Sequence, residues 1–308
     1  MTVGVVTIGE TMVSLRSAGP LSVPGSLTAR LAGAESTVAI GLARLGHRVR
    51  WVSRVGDDEY GSVLVRTLRG EGVDVSGVEA DPARPTGLMV AAARTADITS
   101  VTYYRAGSAA SALGAGDVSR LGAADVLHVT GITPALSANA AEAVRLAVGS
   151  AAYRTVSLDV NYRSRLWSRE RAAEVLRPLL PHLSIVIGSP DELLLLADGG
   201  VPELVARGLE VIEKRGAQGA GLWPAGSPVS DVVEVPAVPV TVVDVVGAGD
   251  AFTAGYLSGL LDGLTPLDRL RRAVQVAAFC VSTAGDYEGL PTRAELDRLR
   301  LVEGTTLR

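Results

Sequence analysis

The sequence predicts an α/β protein with a doubly wound, mainly parallel sheet and helices on both faces. Short β-branched runs alternate with amphipathic helical segments along most of the 308 residues. Repeated strand–helix–strand units of this kind form right-handed crossovers between parallel strands. The composition, 47% hydrophobic and 20% charged, is that of a globular chain long enough to bury a large core. We therefore expect residues 1–308 to form a single domain.

Hydrophobic periodicity assigns the elements in order along the chain. The first half contains a strand, a helix that closes at Gly46, a second strand and a helix with a glycine stop: "VGVVTIG", "AESTVAIGLARLG", "RVRWVSRVG" and "YGSVLVRTLRGEG". The second half contains the strand "ADVLHVT", a helix from about Ser137 to Ser150, the strand "TVSLDVN", a helix beginning near Ser168 and the strand "LSIVIGS". Helices from Asp191 and Glu203, a strand near 209–214 and two terminal helices complete the pattern.

Two segments, residues 11–31 and 85–105, depart from this alternation. Each has strand-like periodicity without an intervening helix, which predicts antiparallel strands paired in a small sheet outside the main one. A small sheet beside a doubly wound core often closes over a ligand cleft and excludes water. An ordinary β-meander at the sheet edge would give the same pattern, so both interpretations stand.

Composition and charge exclude several classes of function. The net charge of −4 gives no electrostatic basis for binding nucleic acid or an anionic membrane surface. Cys280 is the only cysteine, so no intramolecular disulfide is expected, and the three histidines share no metal-ligand spacing. The first residues lack a basic leader and no apolar run reaches membrane-spanning length, so we expect a cytoplasmic protein. Among 29 basic residues Lys214 is the only lysine.

The stretch "VVDVVGAGDAFTAGYLSGL", residues 242–260, carries the clearest chemical signal. The amides of Gly247, Ala248 and Gly249 lack bulky side chains around them, and the helix that follows adds the positive end of its dipole, which predicts an anion hole. Asp250 lies in the first turn, where it is suited to remove a proton from a hydroxyl while the hole receives a phosphoryl group. A glycine-rich turn with an aspartate cap is the structural alternative. This motif alone gives the two interpretations about equal support.

Several motifs in the right order resemble the ribokinase-like, or PfkB, family of carbohydrate kinases. They are "AGAESTVAIGLARLG" with "VSRVGDDEYG", "EKRGAQGA" and "DVVGAGDAFTAG", and they span nearly the whole chain. The resemblance implies the ribokinase-like fold, a lid built from residues 11–31 and 85–105, ATP as phosphoryl donor and Asp250 as general base. It also implies nucleotide-binding residues at Lys214, Gly216, Gly219, Gly247, Gly249, Ala277 and Ser282.

Three further segments resemble the subgroup of 2-keto-3-deoxygluconate kinases: "TYYRAGSAAS", "LHVTGITPALS" and "SLDVNYRSRLW". A sugar acid carries a carboxylate at the end opposite its acceptor hydroxyl, which calls for cations and donors far from Asp250. Arg105, Arg163 and the Tyr103 hydroxyl are suited to form that clamp. Gly33 and Thr37 complete the expected sugar-binding residues, with Thr37 standing where the family usually has asparagine.

The expected ion sites also depart from the family pattern. The segment "GSPDELLLL" has Ser189 where relatives carry an amide, and leaves Glu192 as the acidic residue that would meet Mg²⁺ through water; Glu192 as a helix cap is the alternative. Asp244 is the candidate for a monovalent cation such as K⁺, although the threonine that usually follows is Val245.

Two other functions remain open from the sequence. One is the same chemistry on a neutral ketose, another ketodeoxy sugar acid or a nucleoside. The other is a non-catalytic sugar-binding or regulatory protein that keeps the fold. Small molecules, a sugar and ATP, are the expected partners, and a homo-oligomer, either a dimer paired through the small sheet or a larger assembly, is expected from the family resemblance.

Overall fold

The structure is a computed structural model that describes residues 3–23, 25–93 and 99–300. The strands are β1 Val3–Ile8, β2 Met12–Ser17, β3 Thr28–Ala32, β4 Val49–Gly56, β5 Asp74–Asp81, β6 Leu88–Ala93, β7 Thr99–Tyr104, β8 Ala124–Thr130, β9 Tyr153–Asp159, β10 Ile185–Gly188, β11 Glu210–Lys214, β12 Ala220–Trp223 and β13 Val233–Val235. The helices are α1 Ala34–Arg44, α2 Glu59–Gly70, α3 Ala115–Val118, α4 Ala138–Val148, α5 Arg169–Leu176, α6 Pro190–Leu196, α7 Gly200–Ala206, α8 Ala248–Leu261 and α9 Pro266–Val281. Short 3₁₀ turns lie at Ala110–Ala112, Thr133–Ala135, Arg177–His182, Gly216–Gln218 and Arg293–Arg300.

The main sheet has the strand order β13-β12-β11-β10-β9-β8-β1-β4-β5. Pairing is parallel from β11 to β5, whereas β12 and β13 extend the sheet antiparallel at one edge. The predicted doubly wound sheet is therefore confirmed. The helix expected to start at Glu203 begins earlier, at Gly200.

A separate four-stranded sheet has the order β3-β2-β6-β7, and its strands come from the two segments that the sequence set apart. The β2–β3 and β6–β7 pairs are antiparallel as expected, but the central pair, β2 with β6, is parallel. These two strands belong to segments that are distant in sequence, so no hairpin turn constrains them to run in opposite directions. Part of the second segment, residues 94–98, lies outside the described residues.

The core consists of two apolar layers, one on each face of the main sheet. One layer packs α1, α8 and α9 around the fully buried Trp51 and Tyr256, and the other packs α4 to α7 against β8 to β11. Each fully buried large side chain contributes about 1.5–3 kcal/mol relative to its exposed form. None of the helices in the described ranges has the length and apolarity that a membrane crossing requires.

Glycines place α8 between its neighbours. A Cβ at Gly255 would lie 2.8 Å from Cα of Ala273 in α9, and a Cβ of Gly41 in α1 would lie 2.7 Å from the Ala254 methyl carbon. Because these contacts bring the helix axes close, α8 is fixed on both sides, and its first turn is held at the carboxyl edge of the parallel strands. Open α/β sheets bind their ligands at that edge.

Candidate active site

The loop before α8 is held by a glycine in the left-handed region. Gly247 has φ 77° and caps α8, and a Cβ there would lie 2.2 Å from the carbonyl oxygen of Asp286. Any other residue would be strained and would collide with backbone, so glycine is required. The first amides of a helix have no partner within the helix. The Ala248 N–H makes only a long, 3.3 Å, bond to the carbonyl of Val245. The geometry is compatible with the predicted anion hole.

Asp250 lies in the first turn of α8 and forms part of a cavity wall. Burial raises its pKa to about 6, and the neighbouring Asp159 carboxylate also raises it. Lys214, Arg163 and the hydrogen bond from Asn161 act in the opposite direction. At neutral pH the carboxylate is mostly ionised but basic enough to accept a proton, which is the range that suits a general base.

Asn161 fixes one oxygen of that carboxylate. Its Nδ2 donates to Oδ1 of Asp250 at 3.0 Å. It follows the end of β9 in the left-handed region, with φ 41°, and is the only residue other than glycine with a positive φ in the described ranges. Backbone strain at such a position persists where the surrounding structure enforces it, which is common at functional sites.

A buried ion pair lies beneath the glycine loop. The Nζ of Lys214 donates to both oxygens of Asp159 at 2.9 and 2.7 Å, and Thr253 donates to the same carboxylate at 3.0 Å. A Cβ at Gly249 would lie 3.3 Å from that Nζ, so the ammonium packs against the loop. Burial lowers the pKa of Lys214, but the carboxylates of Asp159, Glu192 and Asp250 more than offset it and the net direction is upward. The lysine therefore remains a cation beside the predicted anion hole.

A cavity of about 730 Å³ separates the small sheet from this edge of the main sheet. Its walls come from the small sheet, from loops that follow β1, β8 and β9, and from the loop before α8. The charged lining residues are Glu10, Arg105, Arg163, Arg165, Asp250 and Asp286. The lining also includes Gly33, Met89, Tyr103, Tyr162 and Gly247.

The predicted sugar-binding residues divide into two groups. Gly33, Tyr103, Arg105 and Arg163 line the cavity together with Asp250, whereas Thr37 does not. Thr37 is fully buried within α1, where its hydroxyl has no hydrogen-bond partner among the described residues. The geometry gives no support to its expected contact with the sugar.

Arg105 is already paired. Its guanidinium forms an ion pair with the buried carboxylate of Glu10 and lies over the Tyr103 ring, 5.5 Å from the centroid. Glu10 also accepts from the Ser108 hydroxyl at 2.8 Å. Arg105 was expected to contribute to the carboxylate clamp, and the structure shows that its charge is balanced by Glu10. Arg163 and Arg165, which donate to the backbone carbonyls of Tyr162 and Val101, are the cations in the described lining without a carboxylate partner.

The predicted nucleotide residues other than Gly247 lie outside this cavity. Gly216 and Gly219 form the turn between β11 and β12 with φ 57° and 89°. Ala277 and Ser282 lie half-buried near the C-terminus of α9. The chain before the glycine loop runs beside that helix end, where the N–H of Val243 donates to the Val281 carbonyl at 2.7 Å. Val242, Val243 and Val245 are 60%, 59% and 69% exposed and form an apolar surface beside the end of α9.

The two predicted ion ligands are already engaged with protein donors. Glu192 accepts from the N–H groups of Tyr162 and Ser189, both at 2.8 Å, and the second bond belongs to a capping box at the start of α6. Asp244 is paired with Arg16 at 2.6 Å. Within the described part of the chain, no group of three or more His, Cys, Asp or Glu side chains is arranged to hold a metal ion.

Several residues around the site were missed by sequence reasoning. Asp286 lines the cavity, and burial raises its pKa to about 7, with Arg16 lowering it and Asp250 raising it. Glu35 is fully buried in α1, and burial raises its pKa to about 7 while the hydroxyls of Thr133 and Thr130 donate to it. Asp286 lies outside the quoted motifs, and the motif that contains Glu35 does not indicate which residues surround it, so only the folded chain brings these carboxylates near Asp250.

Comparison with known proteins identifies the family and the fold. The model of the pfkB family carbohydrate kinases matches residues 3–293. The chain is 36% identical to the 2-dehydro-3-deoxygluconokinase of Thermoproteus tenax, over 96% of this chain and 94% of the relative. It is 37% identical to the 2-dehydro-3-deoxygluconokinase of Bacillus subtilis, over 96% and 95%. The crystal structure of a putative Ribokinase II from E. coli in complex with ATP and Mg²⁺ superposes with a TM-score of 0.87 at 26% identity, covering 97% of this chain and 99% of that one.

Proposed function

Because the chain belongs to the pfkB family of carbohydrate kinases, we propose that it transfers the γ-phosphoryl group of ATP to the terminal hydroxyl of 2-dehydro-3-deoxygluconate. 2-Dehydro-3-deoxygluconate is the systematic name of 2-keto-3-deoxygluconate. The names of the two relatives at 36% and 37% identity support this substrate. The observation that carries the reaction is Asp250, a carboxylate with its pKa raised to about 6 in a cavity wall beside a glycine loop.

In the proposed mechanism Asp250 accepts the proton of the acceptor hydroxyl while that oxygen attacks the γ-phosphorus in line. Asn161 holds one carboxylate oxygen and so orients the other toward the sugar. The amides of Gly247, Ala248 and Gly249, with the positive end of the α8 dipole, stabilise the charge that develops on the transferring group. Lys214 adds a fixed positive charge to the same loop. Positioning and electrostatics supply most of the rate in such reactions.

Arg163 and Arg165 support the choice of a sugar acid. Both line the cavity and neither has a carboxylate partner among the described residues, whereas Arg105 is neutralised by Glu10. We propose that Arg163 binds the substrate carboxylate and that the Arg105–Glu10 pair acts as a polar support for Tyr103. A charge-assisted hydrogen bond contributes about 1.5–3 kcal/mol, which corresponds to about 10- to 150-fold in affinity.

ATP and Mg²⁺ are proposed as donor and ion because the E. coli neighbour is described in complex with both. Glu192 fits a water-mediated contact with Mg²⁺, since each of its oxygens accepts one backbone bond and keeps further acceptor capacity. When bound, the ion supplies counter-charge to the phosphates. We place adenine between the Gly216–Gly219 turn and the end of α9. The small sheet is proposed to act as the lid of a single kinase domain, 1–308, and to pair with a second copy.

A substrate panel tests the proposal. Purified protein with ATP and Mg²⁺ is assayed for ADP release with 2-dehydro-3-deoxygluconate, 2-dehydro-3-deoxygalactonate, fructose, ribose and a nucleoside. We expect the highest kcat/KM for the first, and a loss of about 10- to 150-fold for Arg163→Met with that substrate but little loss with any neutral sugar that is turned over. Equal turnover of fructose by the wild type would refute the carboxylate site. Absence of turnover with every sugar would favour a non-catalytic binding protein.

A further inference from the structure

Arg16 reaches out of the small sheet and binds two carboxylates of the main domain. It lies on β2, and its Nη1 is 2.6 Å from Oδ2 of Asp244 while its Nη2 is 3.2 Å from Oδ1 of Asp286. The three side chains are 22%, 16% and 11% exposed. Ion pairs this buried are screened little by salt. The contact is therefore an electrostatic link between the small sheet and the segments that hold the glycine loop.

The two carboxylates hold the segments from which the glycine loop is built. Asp244 accepts from the N–H of Val246 at 3.0 Å and from that of Gly285 at 3.2 Å. The carbonyl of Asp286 lies directly against Gly247, where a Cβ would be only 2.2 Å from it. The Arg16–Asp244–Asp286 cluster therefore lies immediately beneath the loop whose amides are proposed to receive the phosphoryl group.

The cluster needs a cation. The carboxylates of Asp250, Glu288 and Asp244 lie close enough to Asp286 to raise its pKa, and phosphates arriving at the loop add more negative charge. In the sequence, Asp244 is the candidate ligand of a monovalent cation. Its carboxylate instead accepts three hydrogen bonds, from Arg16, Val246 and Gly285, so the site as folded does not suit a monovalent ion.

We propose that the Arg16 guanidinium takes the place of a monovalent cation beneath the glycine loop, so that the enzyme works without K⁺. Because Arg16 belongs to the small sheet, this charge is in place only when that sheet lies against the main domain. The inference rests on the proposed kinase reaction but not on the identity of the sugar.

Arg30 provides a matched control. It lies on β3 of the same sheet and binds the same 284–288 loop, through the Glu288 carboxylate at 2.6 Å and the Ala284 carbonyl at 2.9 Å. It makes no contact with Asp244 among the contacts of the described residues. Arg30→Gln therefore weakens the attachment of the sheet without removing the charge beneath the loop.

The test compares wild type, Arg16→Gln, Arg16→Lys and Arg30→Gln in KCl and in choline chloride at equal ionic strength. ADP release is measured with whichever sugar is turned over, and ATP affinity and the thermal midpoint are measured without sugar. We expect wild type, Arg16→Lys and Arg30→Gln to be indifferent to the cation. Arg16→Gln should lose about 10- to 100-fold in kcat/KM, regain much of it in KCl, and gain a K⁺-specific rise in thermal midpoint or ATP affinity.

Strong stimulation of the wild type by K⁺ would overturn the proposal, and so would an Arg16→Gln variant that K⁺ does not rescue. If Arg16→Gln fails to fold, the wild type and Arg16→Lys still decide the matter, because a K⁺ requirement in either contradicts it. Should no sugar be turned over, the proposed function fails, whereas ATP affinity and thermal midpoint still test the cation replacement.

Discussion

Replacing Lys214 with methionine removes the ammonium group that pairs with the buried carboxylate of Asp159. Asp159 is 1% exposed and accepts two bonds from Lys214 and one from Thr253. The variant leaves that buried carboxylate with the Thr253 bond alone. Breaking a buried pair by removing one partner costs about 3–5 kcal/mol. Unfolding a chain of 308 residues has an entropy of about 2.1 cal/mol/K per residue, so that cost lowers the thermal midpoint by roughly 5–8 °C.

The same change shifts the pH profile of the reaction. Lys214 lowers the pKa of Asp250, which is about 6 in the wild type, so its loss raises that pKa. A general base works only when ionised, and activity is therefore lost as pH falls through the pKa. We expect the acid limb of kcat/KM near pH 6 in the wild type and at higher pH in Lys214→Met, measured by ADP release between about pH 5 and about pH 9.

Two further variants separate stability from catalysis. The double variant Lys214→Met with Asp159→Asn has no unpaired carboxylate, so it should recover much of the lost stability but not the activity. Lys214→Arg keeps the charge, but its broader guanidinium meets Gly249, whose Cβ position is 3.3 Å from the present Nζ, and kcat should fall. A Lys214→Met enzyme with the wild-type thermal midpoint and acid limb would refute this account of the ion pair.

The remaining predictions concern the base, the loop and a buried acid. Asp250→Asn should retain ATP binding by calorimetry but lose at least about 10²- to 10⁴-fold in kcat; near-wild-type turnover would contradict its role. Gly247→Ala should lower the thermal midpoint more than Gly263→Ala. Both glycines have a positive φ, 77° and 69°, but only at Gly247 would the added Cβ lie 2.2 Å from a backbone atom. Equal losses in thermal midpoint would contradict the importance of this contact. The pKa of Glu35 is raised from 4.5 to about 7 in the fold, so its stabilising effect is present below pH 4.5 and is lost as pH rises through 7. Glu35→Gln should therefore reduce the fall in the free energy of unfolding with rising pH, measured by denaturant titration at several pH values. An unchanged pH dependence would contradict this account of Glu35.

The local part of the site was predictable from the sequence. A glycine loop followed by aspartate and an apolar helix has one natural geometry, and Gly247, Asp250 and the α8 helix adopt it. Tyr103, Arg105 and Arg163 were expected at the sugar end, and they line the cavity with Asp250. Thr37 was expected there from its position in a motif, but helix α1 turns its side chain into the core.

The pairing of charged side chains that are distant in the sequence was not predictable. Arg105 was expected in the carboxylate clamp, and nothing near it in the chain indicates that it pairs with Glu10, 95 positions earlier by residue number. The same applies to Asp244, whose partner Arg16 is 228 residues away. Ion pairs leave no periodic trace in a sequence, whereas apolar faces repeat every two or 3.6 residues.

The sequence by itself determined the alternation of strands and helices, the small second sheet and the glycine loop with its aspartate, because each depends on neighbours within one or two turns of chain. Only the tertiary structure decided which carboxylate meets which cation: Asp159 with Lys214, Glu10 with Arg105, and Asp244 and Asp286 with Arg16. The physical reason is that electrostatic interaction depends on distance and burial, and both are set by how the sheets pack.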